Sequence, residues 1–320
     1  MNIFDGHSDL WEDVDEKRRR GLRQVIRTVH QPRWEAGGVE GGFYPVWVDP
    51  EGMLPPVRQA ESIFCQMAAE LEECGDLVQV VRTAEEYSAA VRAGKHALIL
   101  GAEGLSFLEG DLSRLEDLYR LGLREASLTW NETNDLAAGA GDSSGQGLTS
   151  LGRDCVREIH RLGMILDLAH ASRQTFWDAM ELTDGPFMVS HGSCKALCPH
   201  PRNYSDDQIR AIAQHNGVLG INAYAPFLDL EEESQTVERY ADHVAYAADL
   251  VGTDYVALGF DLVDFLDDVG TDPSISCVTR GLESLGDTGN LLNALTRRGF
   301  SREELEKICR GNFLRLVQML

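Results

Sequence analysis

Eight short apolar runs recur along this chain, each followed by a stretch of helical periodicity, and that alternation limits the fold more than any other feature. The first begins within residues 1–5 and the others lie at 43–48, 97–100, 125–130, 164–168, 187–190, 218–221 and 255–258. Between them the pattern predicts helices at 55–74, closed by Gly75, and at 83–94, opened by the capping box Thr83-Ala84-Glu85-Glu86. Further helices are predicted at 111–121, 149–162, 206–215 and 236–250, with three more helical stretches around Leu291, Leu305 and Leu316. Residues 77–81 read as an extra short strand outside the eight, and Pro45 interrupts the regularity of the second run. Residues 139–147, rich in Gly and Ser, read as a loop. Regular β/α alternation implies a parallel sheet, and eight units in about 300 residues fit one closed (β/α)8 TIM-type barrel. No composition break marks a linker, so residues 1–320 are expected to form a single α/β domain. The alternative, an open doubly wound sheet, would want a Gly-x-Gly-x-x-Gly turn after the first strand, which is missing.

Charge and cysteine usage narrow the partners. The chain carries 29 Lys and Arg against 52 Asp and Glu, a net charge of −23, which would repel nucleic acid and anionic lipid. No apolar run approaches the roughly 20 residues that span a bilayer. Residues 1–5 enter the first strand without a basic or apolar leader, so no secretory signal is expected. Seven scattered cysteines, an odd number, suggest reduced thiols in a cytoplasm. The sequence does not fix an oligomeric state, and a homodimer stays open.

Six polar residues fall where the apolar runs end: His7 and Asp9 after the first, then Glu103, His170, His191 and Asp261 after the third, fifth, sixth and eighth. In a (β/α)8 barrel the C-terminal ends of the strands form the reactive face. Imidazole and carboxylate both suit a borderline ion such as zinc. Three His, one Glu and one Asp are enough for two ions if one carboxylate bridges, and Glu103, between Gly101 and Gly104, is the natural bridge. Two such ions can share a hydroxide at neutral pH and polarise a carbonyl, leaving Asp261 to move protons. That chemistry is metal-assisted amide hydrolysis. Each residue alone has an ordinary structural reading as well: Glu103 could cap the next turn, Asp261 could be a helix N-cap, and any one His could be a hydrogen-bonded core residue. The remaining histidines, His30, His96, His160, His200, His215 and His243, are read that way.

The segments Asp5-Gly6-His7-Ser8-Asp9, Glu103-Gly104, Asp167-Leu168-Ala169-His170-Ala171-Ser172, Val189-Ser190-His191 and Arg202-Asn203, in this order, resemble the membrane (renal) dipeptidase family, peptidase family M19. The similarity runs from Asp5 to the C-terminal Gly311-Asn312-Phe313-Leu314-Arg315. It implies an amidohydrolase-type barrel with a binuclear zinc site that hydrolyses dipeptides, some with a D-residue at the C-terminal position. It further implies His7 and Asp9 on one zinc, His170 and His191 on the other, Glu103 bridging, Asp261 in proton transfer and Arg202 on the substrate. A guanidinium suits that last task because it can hold a free carboxylate bidentately.

Two departures stand out. Animal members carry a substrate-binding His in a Leu-Thr-His context, where this chain has Leu128-Thr129-Trp130, a replacement that points to a bacterial member. An indole N–H donates but cannot act as an imidazole does. The family's Gly-x-Asp-Phe-Asp-Gly becomes Gly259-Phe260-Asp261-Leu262-Val263-Asp264, keeping only its first Asp. An active hydrolase for a cyclic or N-acyl amino acid, or a catalytically silent metal-binding protein, are the alternative functions. Retention of all six site residues argues against the silent form. Other features read as structural: Cys194 and Cys198 as core thiols, residues 17–20 as a solvated, self-paired helix face, and Trp34 and Trp47 as core or pocket wall.

Overall fold

A computed structural model describes residues 1–266 and 276–320. Its strands are β1 (Ile3–Asp5), β2 (Val39–Trp47), β3 (Val78–Val80), β4 (His96–Glu103), β5 (Glu125–Ser127), β6 (Ile165–Asp167), β7 (Phe187–Gly192), β8 (Val218–Ile221) and β9 (Val256–Leu258). Hydrogen bonding orders them β1-β2-β4-β3 and β5-β6-β7-β8-β9. Two joins connect these sheets. The Gly6 N–H donates to the Leu258 carbonyl at 2.9 Å, linking β1 to β9, and the Arg124 N–H donates to the Leu100 carbonyl at 2.8 Å, linking β4 to β5. The eight predicted strands therefore form the (β/α)8 arrangement. The extra strand is real as well. β3 pairs with residues 96–98 of β4, and β5 takes over the same edge from Leu100 onward.

The chain divides into two compact units. The first comprises Met1–Ser8, Ile26–Gly42 and Val189–Arg315; the second comprises Asp9–Val25, Phe43–Met188 and Leu316–Leu320. In the first unit Phe4, Tyr240, Phe260 and Phe313 are fully buried, with the Phe4 and Phe313 rings 5.7 Å apart. In the second, Trp11, Tyr44 and Phe176 fill the core. Each such ring contributes about 1.5–3 kcal/mol by leaving water. The ladder of β2 with β1 ends at Gly42, so Pro45 withholds no hydrogen bond from β1.

On the helix after β1 (Leu10–Arg19) the solvated, self-paired face holds for Arg19 and Arg20, which are exposed and pair with Asp15 and Glu16, but not for the two residues before them. Lys17 and Arg18 are buried: Lys17 pairs with Asp13, and Arg18 forks onto Glu73 at 2.9 and 3.0 Å while also pairing with Glu70. Glu70 and Glu73 lie on the helix Pro56–Cys74. Arg18 therefore acts as an interhelical tie rather than as a surface charge. The capping box at Thr83 is also altered. Thr83 accepts from the Glu86 N–H at 3.2 Å as expected, but the Glu86 carboxylate accepts from the Arg82 N–H at 2.7 Å instead of closing on Thr83. Among the described residues no helix is long and apolar enough to cross a membrane, and all seven cysteines are free thiols. Burial pushes the Cys194 thiol up to about 12, which leaves it protonated and unsuited to hold a metal.

His243, on the helix Val237–Val251, has no exposed surface. Its Nδ1 accepts from the Cys194 N–H at 3.0 Å and its Nε2 donates to the Leu228 carbonyl at 2.8 Å, so the ring must be neutral. Burial lowers its pKa from 6.5 to about 4. The fold thus favours the uncharged ring: this contribution is complete above pH 6.5 and is lost as the pH falls towards 4. Its size is about 3 kcal/mol. His243→Gln offers an amide in place of the ring and does not titrate. The parent should lose more stability between pH 7 and pH 4.5 in urea melts than this variant does; parallel losses would remove His243 from the account.

Candidate active site

In the first unit His7, His191 and Asp261 converge. His7 follows β1 and His191 lies near the end of β7; both are buried, with ring centroids 3.9 Å apart and ligand atoms within 4.8 Å of each other. Two imidazoles so close repel if both are protonated, and an ion between them removes the problem by holding both neutral. The His191 Nδ1 is 2.8 Å from the Ser190 hydroxyl, which orients the ring. Asp261 follows β9 in the left-handed region, φ 54°, which a non-glycine residue adopts only when its surroundings impose it. One carboxylate oxygen accepts from the Asn222 side-chain amide at 2.9 Å, and the other stands 3.9 Å from the His7 Nε2. Beneath them the buried Asp5 accepts from the backbone N–H of both His7, at 3.2 Å, and Phe260, at 3.0 Å. That one carboxylate ties the exits of β1 and β9, and burial pushes it up to about 7.

Arg202 belongs to the same unit and is 5% exposed. Its Nη2 donates to the His191 carbonyl at 3.4 Å and its guanidinium lies 5.5 Å from the Phe227 ring centre. Its Nε and Nη1 are buried and have no hydrogen-bond partner among the described residues. A buried guanidinium with unsatisfied donors is costly to leave in that state, and an anion would satisfy it. Asn203 fixes the loop by donating to the Cys198 and Phe227 carbonyls at 2.9 and 2.8 Å.

The second unit holds Asp9, Glu103 and His170. Glu103 closes β4 and is buried, with its Oε1 2.8 Å from the His170 Nε2. The other His170 nitrogen, Nδ1, is 2.9 Å from the Asn131 Oδ1. With Nδ1–H donating to Asn131, an ion could take the Nε2 lone pair, with the Glu103 carboxylate beside it. His170 also has a left-handed backbone, φ 61°, held by the Ala140 N–H at 2.7 Å on its carbonyl. Asp9 precedes the helix Leu10–Arg19 but makes no capping bond there, so its carboxylate is not committed to the helix end. One turn on, burial together with Asp9 and Glu103 pushes Glu12 up to about 9. A cation nearby would favour the ionised form of Glu12 instead. A Cβ on Gly101 would fall 1.7 Å from the Glu125 carboxylate, and Gly104 has φ +76° against the Trp130 backbone, so both glycines admit the neighbouring strand.

The structure thus places all six predicted strand-end residues and Arg202 in ordered, buried or half-buried positions, three of the six in each unit. Asp5, Glu12, Asn131 and Asn222 were not anticipated. Asn131 and Asn222 carried no sequence signal, since an Asn in a loop looks like any turn residue. Asp5 stood inside the quoted His7 segment but had no assigned task.

The chain matches the family model for membrane dipeptidases, peptidase family M19, over residues 1–320. A dipeptidase of Claviceps purpurea is 33% identical over 251 residues, which are 78% of this chain and 56% of that protein. The chain therefore spans little more than half of that relative. Among solved structures, a metallopeptidase from Rhodobacter sphaeroides bound to a phosphinate mimic of L-Ala-D-Ala superposes with a TM-score of 0.87, at 24% identity, covering 100% of this chain and 99% of that one. A family M19 dipeptidase superposes with a TM-score of 0.85 at 26% identity, covering 100% and 98%.

Proposed function

Because the chain belongs to the membrane dipeptidases, the metal-dependent dipeptidases of peptidase family M19, we propose that it cleaves the amide bond of small dipeptides in one domain spanning residues 1–320. The residues that would hold two zinc ions are His7 and Asp9 on one side, His170 and His191 on the other, with Glu103 shared. The donor set fits the group: imidazoles oriented by Ser190 and Asn131, beside the buried Glu103 and the Glu12 carboxyl that burial and its acidic neighbours push up. Bound there, the ions would supply a hydroxide nucleophile at neutral pH and polarise the scissile carbonyl. Asp261 takes the proton released on attack and delivers it to the leaving amine, with Asn222 holding its carboxylate in one orientation. Arg202 binds the substrate's terminal carboxylate. Free thiols fit a cytoplasmic protein, and Trp130 fits a bacterial one; a homodimer is compatible with all of this.

The observation that carries the dipeptide reading is Arg202, a buried cation with two donors unsatisfied in a protein of net charge −23. A dipeptide's carboxylate offers two charged oxygens to them, whereas an amide-blocked peptide offers one neutral carbonyl oxygen. Tolerance of a D-residue at the C-terminal position is part of the proposal, in keeping with the ligand of the Rhodobacter protein. The test is a screen of L,L-, L,D- and D,D-dipeptides with zinc-loaded protein, each repeated with the carboxylate blocked as an amide. A charge-assisted contact contributes about 1.5–3 kcal/mol, so blocking should slow the parent at least tenfold. In Arg202→Ala the block should matter little. Equal sensitivity in both proteins would take Arg202 out of carboxylate binding, and a parent indifferent to the block would favour a cyclic or N-acyl amide.

A further inference from the structure

Trp47 ends β2, and Trp130 lies just beyond β5, both on the strand-exit side of the second unit that also presents Glu103 and His170. Both indoles are half-buried. The Trp47 ring meets the Trp130 ring edge-on at 5.2 Å and 63°, and the Trp130 ring lies 5.8 Å from the His170 ring at 31°. The Trp130 backbone packs against Gly104, where a Cβ would come within 3.0 Å of its nitrogen. The two indoles therefore form a continuous aromatic row that starts at a proposed metal ligand.

The outer indole carries an unmet need. The Trp47 Nε1 is buried and has no hydrogen-bond partner among the described residues, although a buried indole N–H normally finds one. Trp11 shows the ordinary case, donating its Nε1–H to the Tyr44 carbonyl at 3.2 Å. An indole N–H only donates, so what satisfies Trp47 must be an acceptor. The adjoining ring faces supply apolar contact. A group that suits both features has a carbon body and one acceptor oxygen near its end.

We propose that Trp47 and Trp130 form a substrate side-chain subsite, and that Trp47 selects dipeptides bearing an oxygen acceptor on that side chain over apolar isosteres. This rests on the dipeptidase reading and adds the substrate class to it. A pocket built to donate one hydrogen bond rejects the analogue that cannot accept it, because the buried donor is then left bare. Trp47→Phe keeps an aromatic ring and deletes the N–H, so it removes the preference and leaves the fold intact.

The experiment compares kcat/KM for the pairs Thr/Val and Asn/Leu, placed in turn at the first and second positions of dipeptides whose other residue is Ala. Zinc-loaded parent and Trp47→Phe are assayed side by side, with melting temperature measured on each. In the parent the acceptor member of each pair should be favoured about tenfold at one position, in line with one neutral hydrogen bond. Trp47→Phe should bring that ratio to near unity, chiefly by slowing the acceptor substrates, without lowering the melting temperature. Trp130→Leu, which removes the supporting ring, should weaken both members of each pair together. A parent that hydrolyses dipeptides without such a preference, or a preference that survives in Trp47→Phe, would overturn the assignment. A Trp47→Phe protein that melts well below the parent with unchanged ratios would make Trp47 a packing residue. Failure to hydrolyse any dipeptide would instead remove the reading on which this one rests.

Discussion

Asp261→Asn is expected to retain its metals and lose turnover by about 10²–10⁴-fold, the usual worth of a positioned acid–base group. The substitution is well suited to isolate the proton. Asp261 has a left-handed backbone, φ 54°, and Asn is among the few residues that tolerate this region. The amide carbonyl can still accept from the Asn222 side chain, now at 2.9 Å from the Asp261 carboxylate, so the loop keeps its anchor. Only the capacity to take and return a proton disappears. The checks are zinc content by atomic absorption, melting temperature, and kcat on the best dipeptide. A variant with parental metal content and a kcat within a few-fold of the parent would make Asp261 a positioning residue for His7, 3.9 Å away, and would exclude it from proton transfer.

A companion control lies in Asn222. Asn222→Ala frees the Asp261 carboxylate without removing it, so kcat should fall by less than in Asp261→Asn while the metals stay. The ordering of the two losses separates the group that moves the proton from the one that orients it.

How much of this could be read from residues alone follows from the range of the interactions. The eight strand ends were legible because a buried parallel strand is a local signal, a short apolar run such as Ala97-Leu98-Ile99-Leu100. Site residues at those ends were legible for the same reason, since in such a barrel the reactive face sits at the C-terminal ends of the strands. Interactions between distant segments were not. Arg18 sits among charged neighbours and looks solvated; only the helix Pro56–Cys74, some fifty residues on, turns it inward through Glu70 and Glu73. The close approach of Glu125 to Gly101 was hidden for the same reason, because that side chain belongs to another strand. Asn131 and Asn222 hold His170 and Asp261 through single hydrogen bonds across 39 residues each. A one-dimensional pattern has no period that reports such a bond. The predicted ligands were thus visible as residue types at a repeating place, while the residues that orient them became visible only with coordinates.

Glu103→Ala should be the more damaging change at the metal site, because the proposed role of this carboxylate is shared between both ions. Losing an ordinary ligand weakens one ion; losing a bridge loosens two and lets like charges approach without a screen. The expected result is a fall from about two zinc ions per chain to less than one after dialysis against a weak chelator, with activity lost in proportion. Asp9→Ala serves as the contrast, since it should release one ion and leave the other. The change at Glu103 also removes the 2.8 Å partner of the His170 Nε2, but Asn131 still holds Nδ1 and the left-handed backbone is anchored through the Ala140 N–H, so His170 should keep its place. Circular dichroism and the melting temperature of the zinc-free parent and variant test that point independently of metal. If Glu103→Ala instead releases one ion and binds the second as tightly as the parent does, the carboxylate serves a single ion. The proposed bridge would then have to be assigned elsewhere, and Glu12, driven up to about 9 by burial beside Asp9 and Glu103, would be the next carboxylate to replace.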